Sequence, residues 1–373
     1  MLMVGCLWID KKVAAIIVYF LGPIFLSKGG FLLKALYKKS EEAYNMALEN
    51  SEDLIPEDDE VIVKVEAAGI CGTDLKMYQG KYYKYNLPII LGHEFSGYIT
   101  SIGKDVKNLS KGSKVTGQPA ASNCGQCNMC IIGKTNICSK KNRLGFEQNG
   151  AFADYVKLNQ RQIHVLPDEV DILSGALIEP LAVVVHAFRK IKISPSNVIH
   201  VIGSGAIGLI AMLVGKANGA FVSISGLSRD HEKLSLASKL GADLVVEADN
   251  EGSDDVIMQH TQGNGADIVL ECTGTAAGVN TGLELCKASG QYVQVGTWSE
   301  SLNVDFMKIA YKEIQVMGSY SHTKIDWLDS IKLIQKKKIN VYPLIQDIYS
   351  LTDWKKAFKK AETGEKVKVV LKP

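Results

Sequence analysis

The sequence lacks an excess of charge of either sign. It contains 42 lysines and arginines against 40 aspartates and glutamates, which gives a formal net charge of +2. No run of basic residues forms the positively charged stripe that would attract a nucleic-acid backbone. The sequence therefore disfavours nucleic acid as a partner.

The sequence also lacks, near its N-terminus, an apolar run long enough to cross a membrane. The segment Val13 to Leu26 holds fourteen residues and is interrupted by Gly22-Pro23, whereas a spanning helix needs about 20 residues. A secretory signal or a short hydrophobic anchor is the alternative interpretation, but no small-residue cleavage site follows the segment. A membrane location is therefore disfavoured.

We expect residues 1–32 to reflect a misassigned start site. Lys28-Gly29-Gly30 can be encoded by a bacterial ribosome-binding sequence, and Leu32 or Leu33 can be encoded by a TTG start codon. Domain-like sequence begins at Leu33. A short hydrophobic N-terminus that is translated remains the other interpretation.

Internal repeats and low-complexity linkers are missing as well. A chain of 373 residues is long enough for about two domains of roughly 150 residues each. Up to about residue 165, short strands broken by Gly, Asn and Pro indicate a mostly β unit. From about residue 196, six strand candidates alternate with helical patterns, which predicts an α/β fold with a doubly wound parallel sheet.

Four of the eight cysteines lie close together. Cys124, Cys127, Cys130 and Cys138 have the spacing C-x2-C-x2-C-x7-C. Four thiolates on one loop can surround Zn²⁺ and leave no open position, so we predict a structural zinc site. An iron–sulfur cluster is the rival, but the usual cluster spacing is absent. In a chain of this size the cluster favours metal binding in a reducing, cytoplasmic compartment over disulfides.

A second group of metal-ligand residues lies in two glycine-bracketed motifs. Cys71 belongs to GICGTD, and His93 and Glu94 belong to GHEFSG. A catalytic zinc needs three protein ligands and one exchangeable position. Cys71, His93 and a carboxylate meet that need, with Glu94 and Glu179 as the two candidate carboxylates. Bound zinc would lower the pKa of a substrate hydroxyl and favour hydride loss to a nicotinamide.

Two neighbours of Cys71 complete this predicted catalytic group. Thr73 is placed to carry a proton outward, and Asp74 is a candidate hydrogen-bond partner for the histidine ligand. A buried thiol and a packed histidine are the alternative interpretation of either motif taken alone. The six other histidines, which include His186 and His322, belong to no paired motif and are interpreted as packing or solvated residues.

A glycine-rich loop follows an apolar strand and opens an apolar helix. The motif GxGxxG is formed by Gly203, Gly205 and Gly208, with Ala206 and Ile207 inside it. The glycines permit a tight turn, close approach of a pyrophosphate and packing of the helix on the strand, and the helix N-terminus faces the phosphates. The loop therefore predicts a dinucleotide site.

The tip of the following strand distinguishes NADP from NAD. Enzymes that use NAD usually carry an acidic residue there, but this sequence has Gly226, followed by Ser228 and Arg229. Arg229 can pair with a 2′-phosphate, which favours NADP. The alternative is that Arg229 is a solvated charge at the start of a helix and that Asp230 caps that helix.

Together these motifs resemble the zinc-containing medium-chain dehydrogenase/reductase family, in the branch of polyol (sorbitol) and threonine dehydrogenases. The resemblance covers Leu33 to Pro373. It implies two zinc ions per chain and a GroES-like catalytic domain over residues 33–190, with a zinc lobe at 120–140. It further implies a Rossmann domain over 191–319, a return to the catalytic domain over 320–373, and dimers or tetramers. Cys71, His93 and Glu94 are then ligands, with Glu179 ligating directly or through water.

The expected function is that of a zinc-dependent oxidoreductase that acts on a secondary alcohol or polyol with NAD or NADP. An L-threonine-type dehydrogenase is an alternative with the same catalytic residues. A non-catalytic NADPH-binding relative is another alternative, although the retained metal ligands argue against it.

The start-site hypothesis makes a direct prediction about the native protein. N-terminal mass spectrometry should find no peptide from the first thirty residues. A peptide that contains Trp8 would contradict the hypothesis.

Overall fold

The computed structural model describes residues 33–82, 85–298 and 300–373. Residues 1–32 lie outside the described residues, and so does the expected start-site misassignment. Within the described ranges, no helix is long and apolar enough to cross a bilayer.

Eighteen strands are found in the described residues. In chain order they are β1 (Lys34–Lys38), β2 (Met46–Asn50), β3 (Glu60–Gly69), β4 (Ile89–Ile90), β5 (Glu94–Ile102), β6 (Lys114–Gly117), β7 (Ala120–Ser122), β8 (Asn142–Arg143), β9 (Tyr155–Asn159), β10 (Ile163–Val165), β11 (Val198–Ile202), β12 (Phe221–Gly226), β13 (Leu244–Glu247), β14 (Ala266–Glu271), β15 (Cys286–Gln294), β16 (Gln315–Gly318), β17 (Ile345–Ser350) and β18 (Lys368–Lys372).

The α-helices of the same residues lie mostly in the second half of the chain. They are α1 (Gly72–Tyr78), α2 (Asn128–Ile131), α3 (Ile172–Ala176), α4 (Ile178–Phe188), α5 (Ala206–Ala217), α6 (His231–Lys239), α7 (Ser253–His260), α8 (Ala276–Leu285), α9 (Met307–Lys312), α10 (Lys324–Gln335) and α11 (Trp354–Glu362).

The first large sheet contains strands from both ends of the chain. Its order is β10-β6-β5-β3-β18-β17, and β9 also pairs with β3. β3 and β5 are antiparallel with Gly69 opposite Glu94, and β18 is antiparallel to β3 with Val370 opposite Gly69. The C-terminal strand therefore lies beside the strand that leads into Cys71.

The second large sheet is parallel throughout, in the order β13-β12-β11-β14-β15-β16. Numbered within this sheet, the order is 3-2-1-4-5-6, that of a dinucleotide-binding Rossmann fold. Its central strands are apolar runs because helices cover both of their faces. The predicted combination of a mostly β unit with a doubly wound parallel sheet is confirmed.

A single buried apolar cluster joins the two sheets. Ala67 and Val370 of the first sheet belong to the same cluster as Val201 and Ile224 of the second. Helix α4 contributes most of its length to this cluster, because eight of its residues are buried together with Glu179. The candidate site residues at the ends of β3 and α4 are thereby held at the junction of the sheets.

His200 is a buried histidine in the centre of the parallel sheet. Its Nδ1 lies 2.9 Å from Ser223 Oγ, and its Nε2 lies 3.2 Å from Ser225 Oγ. Burial lowers the pKa of His200 from 6.5 to about 4. The ring is therefore neutral in the folded protein at mildly acidic pH, where the unfolded chain would protonate it.

We expect His200→Gln to reduce the loss of stability that accompanies acidification. Stability falls as the pH drops from about 6.5 to about 4, because the unfolded chain binds a proton that the folded chain excludes. Between about pH 7 and about pH 5, protonation of this one histidine in the unfolded chain lowers the free energy of unfolding by about 2 kcal/mol. Urea unfolding at both pH values measures the effect, with the exposed His231→Gln as the control. Equal losses in the wild type and His200→Gln would contradict the prediction.

Candidate metal and nucleotide sites

Cys71 is held at the start of α1 by the local sequence. It is the N-cap of the helix, and its backbone N–H donates to Asp74 Oδ2 at 2.9 Å. Thr73 lies in the first turn of the same helix and is half-buried. The motif GICGTD thus fixes the backbone from which the Cys71 thiol projects.

His93 and Glu94 are brought to Cys71 by strand pairing. The ligand atoms of Cys71, His93 and Glu94 all lie within 4.8 Å of one another. Glu94 begins β5 opposite Gly69, and a Cβ on Gly69 would lie 2.4 Å from Glu94 Oε2. A side chain at this point of β3 would therefore displace the Glu94 carboxylate from its present position. A sulfur, an imidazole and a carboxylate at this spacing match the donor set of a catalytic zinc.

Two buried polar atoms beside this group have no hydrogen-bond partner among the described residues. They are Asp74 Oδ1 and His93 Nδ1, which are 3.5 Å apart. Burial lowers the pKa of His93, but the charges of Asp74 and Cys71 outweigh burial and raise it well above its ordinary value. A metal ion at this position would compete with that proton, so the residues fit a site that is completed by a cation.

Glu94 forms an ion pair that the sequence did not reveal. Lys368 Nζ lies 2.9 Å from Glu94 Oε1 and 2.7 Å from Oε2, and it also donates to the Ile70 carbonyl at 3.2 Å. Both side chains are almost completely buried. Burial lowers the pKa of Lys368, but the Glu94 carboxylate outweighs burial and raises it. Lys368 is thus charged at neutral pH and neutralises Glu94.

Glu179 lies in the first turn of α4, buried next to the same group. It is close enough for its charge to act on Glu94 and to be acted on by His93 and Lys368. It does not belong to the set of ligand atoms that lie within 4.8 Å of one another. Its Oε1 lies 3.1 Å from His322 Nε2. His322 is therefore part of this site, although it belongs to no motif in the sequence.

The four-cysteine lobe also has the geometry of a metal site. The Sγ atoms of Cys124, Cys127, Cys130 and Cys138 lie within 4.8 Å of one another, and the thiols are free. Cys124 is 4.0 Å from Cys130 and 3.7 Å from Cys138, and Cys127 is 4.0 Å from Cys138. Four sulfurs at about 2.3 Å from one zinc ion are about 3.8 Å apart. The residues therefore fit a single tetrahedral ion.

The lobe has almost no apolar interior of its own. Helix α2, which begins after the second cysteine and contains the third, has no buried residue, and Ile131 and Ile132 are exposed. Backbone N–H groups of Gln126 and Cys127 lower the pKa of the Cys124 thiol to about 6. An anionic thiol at neutral pH is the form that binds a metal.

The glycine-rich loop has the backbone that its sequence predicts. Gly203 has a φ of +106°, and helix α5 begins after Gly205. A Cβ on Gly208 would lie 1.8 Å from the Gly203 carbonyl oxygen, so this glycine allows the helix to pack on the loop. A Cβ on Gly205 would meet no described atom within 4 Å, which leaves the surface above it open to a ligand. Ala206 and Ile207 form the first turn of α5.

The tip of β12 carries an arginine with free donors. Arg229 is exposed and forms no hydrogen bond or ion pair with the described residues. Ser228 is engaged, because its hydroxyl and its backbone N–H donate to Asp249 Oδ1 at 2.6 and 2.7 Å. Asp230 precedes α6 but makes no capping bond through its side chain, which accepts from Lys233 instead. Asp230 thus occupies the N-cap position of α6 without a side-chain capping bond.

Comparison with known proteins gives matches over both sheets. Residues 57–168 match the family model of the alcohol dehydrogenase GroES-like domain, and residues 206–336 match that of the zinc-binding dehydrogenases. A sorbitol dehydrogenase of Halalkalibacterium halodurans is 37% identical, over 91% of this chain and 99% of its own. A D-arabitol-phosphate dehydrogenase of Enterococcus avium is also 37% identical, over 85% of this chain and 91% of its own.

Comparison with solved structures also identifies a dehydrogenase of similar fold. A protein of Sinorhizobium meliloti 1021, described as a zinc-binding dehydrogenase and crystallised with NADP, superimposes with a TM-score of 0.84 at 29% identity. The match covers 92% of this chain and 100% of that protein. From the sequence matches and the fold, this chain belongs to the zinc-containing medium-chain dehydrogenase/reductase family, in its polyol dehydrogenase branch, and is a zinc- and NAD(P)-dependent alcohol oxidoreductase.

Proposed function

We propose that this protein interconverts a secondary alcohol of a polyol and the corresponding ketone by hydride transfer with NADP in preference to NAD. The observation that carries the proposal is the buried group of Cys71, His93 and Glu94, whose ligand atoms lie within 4.8 Å of one another. A polyol substrate is supported by the relatives, which are named for sorbitol and arabitol phosphate.

The catalytic metal would be held by Cys71 and His93 together with a carboxylate. When bound, zinc polarises a substrate hydroxyl and stabilises the negative charge that develops on its oxygen. Lys368 holds both oxygens of Glu94, which favours Glu179 as the carboxylate that remains available to the metal or its water. Asp74, whose Oδ1 lies 3.5 Å from His93 Nδ1, would orient the His93 ring, and the Thr73 hydroxyl would pass the proton of the substrate hydroxyl outward to solvent.

The four-cysteine lobe would hold the second zinc ion, with a structural role. A lobe with few buried side chains gains little from apolar burial, so the ion supplies the cross-link that fixes its backbone. This proposal assigns two zinc ions to each chain.

We expect Cys71→Ala to lose the catalytic zinc and the activity together. The zinc content measured by elemental analysis should fall from two ions per chain to one. The kcat should fall by about 10³-fold or more, because several kcal/mol of charge stabilisation is lost. The assay screens sorbitol, xylitol, butanediol and threonine with NAD and NADP, with and without a chelator.

The matched control is Cys272→Ala, which removes a thiol outside both groups of candidate ligands. It should retain two zinc ions and wild-type activity. A Cys71→Ala protein that keeps both ions and full activity would refute the metal assignment. If only threonine were oxidised in this screen, the substrate would be an amino alcohol rather than a polyol.

We expect Arg229→Ala to weaken the binding of NADP far more than that of NAD. A charge-assisted bidentate contact with the 2′-phosphate is worth about 1.5–3 kcal/mol, so KM for NADP should rise about tenfold or more. KM for NAD should stay within about twofold, because NAD lacks the phosphate. The control is Arg161→Ala, an exposed arginine elsewhere. Equal changes for both cofactors would remove the basis for preferring NADP.

We infer the compartment of the protein from the state of its cysteines. The described cysteines are all free, which favours a reducing, cytoplasmic compartment.

Edge strand β16 exposes Val316, and nearby Phe306 and Tyr311 are also exposed. Because an exposed apolar edge strand invites pairing with another chain, we infer a homo-oligomer. Light scattering that gives a monomer mass would contradict this inference.

A further inference from the structure

His322 lies in the loop between β16 and α10, and it contacts one of the candidate metal ligands. The side chain is almost completely buried. Its Nε2 lies 3.1 Å from Glu179 Oε1, and its Nδ1 accepts a hydrogen bond from Trp327 Nε1 at 2.8 Å. The ring thus bridges a buried indole and a buried carboxylate.

The Trp327 contact determines which nitrogen of His322 carries a proton. An indole N–H can only donate, so the Nδ1 atom that receives it must have a free lone pair. In the neutral ring the proton is then on Nε2, where it faces Glu179. His322 therefore donates to the carboxylate, and this donation favours the ionised form of Glu179.

Trp327 itself has no freedom to turn away. It is completely buried, and its ring stacks on that of His164 with centroids 5.1 Å apart and planes inclined by 14°. The donor that selects the His322 tautomer is therefore fixed by packing. A rigid donor gives His322 one orientation toward Glu179.

The start of α10 is fastened to the helix that carries Glu179. Asp326 accepts from the backbone N–H and the hydroxyl of Thr323, both at 2.7 Å, and it lies 2.9 Å from His186 Nδ1. Glu179 and His186 are two turns apart on α4, so they share a face. Polar contacts of His186 and Arg189 with Asp326 thus join α4 to α10, and the His322 contact joins α4 to the loop that precedes α10.

The loop is also held from the side of the cysteine lobe. Asn136, a buried residue of the lobe, donates to the Tyr320 carbonyl at 2.8 Å and lies 3.3 Å from His186 Nε2. The backbone two residues before His322 is therefore attached to the lobe. Placement of the His322 ring depends on three separate parts of the chain.

We propose that His322 is a positioning residue for Glu179, an inference that rests on the proposed function. By donating from Nε2 to Oε1, His322 holds the carboxylate in one orientation. Glu179 Oε2 has no hydrogen bond to the described residues and is left to serve the metal held by Cys71 and His93, or its water. Lys368 holds both oxygens of Glu94, so the orientation of Glu179 affects how a second carboxylate meets the ion.

The test compares His322→Asn with His322→Gln in the zinc and Co²⁺ forms of the full-length protein. The Asn amide can reach the Trp327 indole but not Glu179, whereas the longer Gln can place an N–H near the former Nε2. We expect His322→Asn to shift the visible Co²⁺ absorption bands and to lower kcat about 10- to 100-fold. KM for the nucleotide should not change. His322→Gln should restore the spectrum and most of kcat.

Urea unfolding of both variants separates positioning from folding. Equal loss of kcat in Asn and Gln variants, with a lower unfolding midpoint, would overturn the proposal in favour of a structural role. Unchanged Co²⁺ bands and kcat in His322→Asn would also overturn it. An inactive wild type whose Co²⁺ spectrum still responds to His322→Asn would refute the proposed function and leave the positioning role intact.

Discussion

Buried negative charge around one point of the interior is the constraint on which the site depends. The groups that carry it when ionised are the thiol of Cys71 and the carboxylates of Asp74, Glu94 and Glu179. An ion buried without a partner costs several kcal/mol. Lys368 supplies one fixed positive charge, and a divalent ion supplies more. The pocket is therefore a stable part of the fold when lysine and metal are both present.

The sheet containing both chain ends is what makes this charge balance possible. Strand β18 lies beside β3, and β3 lies beside β5, so Lys368 arrives next to Glu94 although the two are 274 residues apart in the chain. Gly69 on the shared strand leaves the space for the Glu94 carboxylate. The same pairing delivers Cys71 at the end of β3. The pairing of the three strands thus brings Cys71, Glu94 and Lys368 together.

Helices α4 and α10 and the cysteine lobe form a second layer of support. His186, Asn136 and Asp326 connect these three parts through hydrogen bonds, and the connected loop presents His322 to Glu179. Because the lobe has little apolar interior, we propose that its order depends on a bound metal. On that proposal, an ion in the lobe would affect the geometry of the Glu179 carboxylate without contacting it.

The sequence by itself predicted the two sheets, the nucleotide loop and the thiol and imidazole that are candidate metal ligands. The cysteine lobe and the nucleotide loop are built from residues close together in the chain, so spacing records them: the lobe spans residues 124–138, and Gly203 to Gly208 form the loop and the first turn of α5. Only the tertiary structure decided that Lys368 neutralises Glu94 and that His322 faces Glu179. A lysine in a strand or a histidine in a loop carries no local sign of burial. Its partner is set by long-range packing, which no short motif encodes.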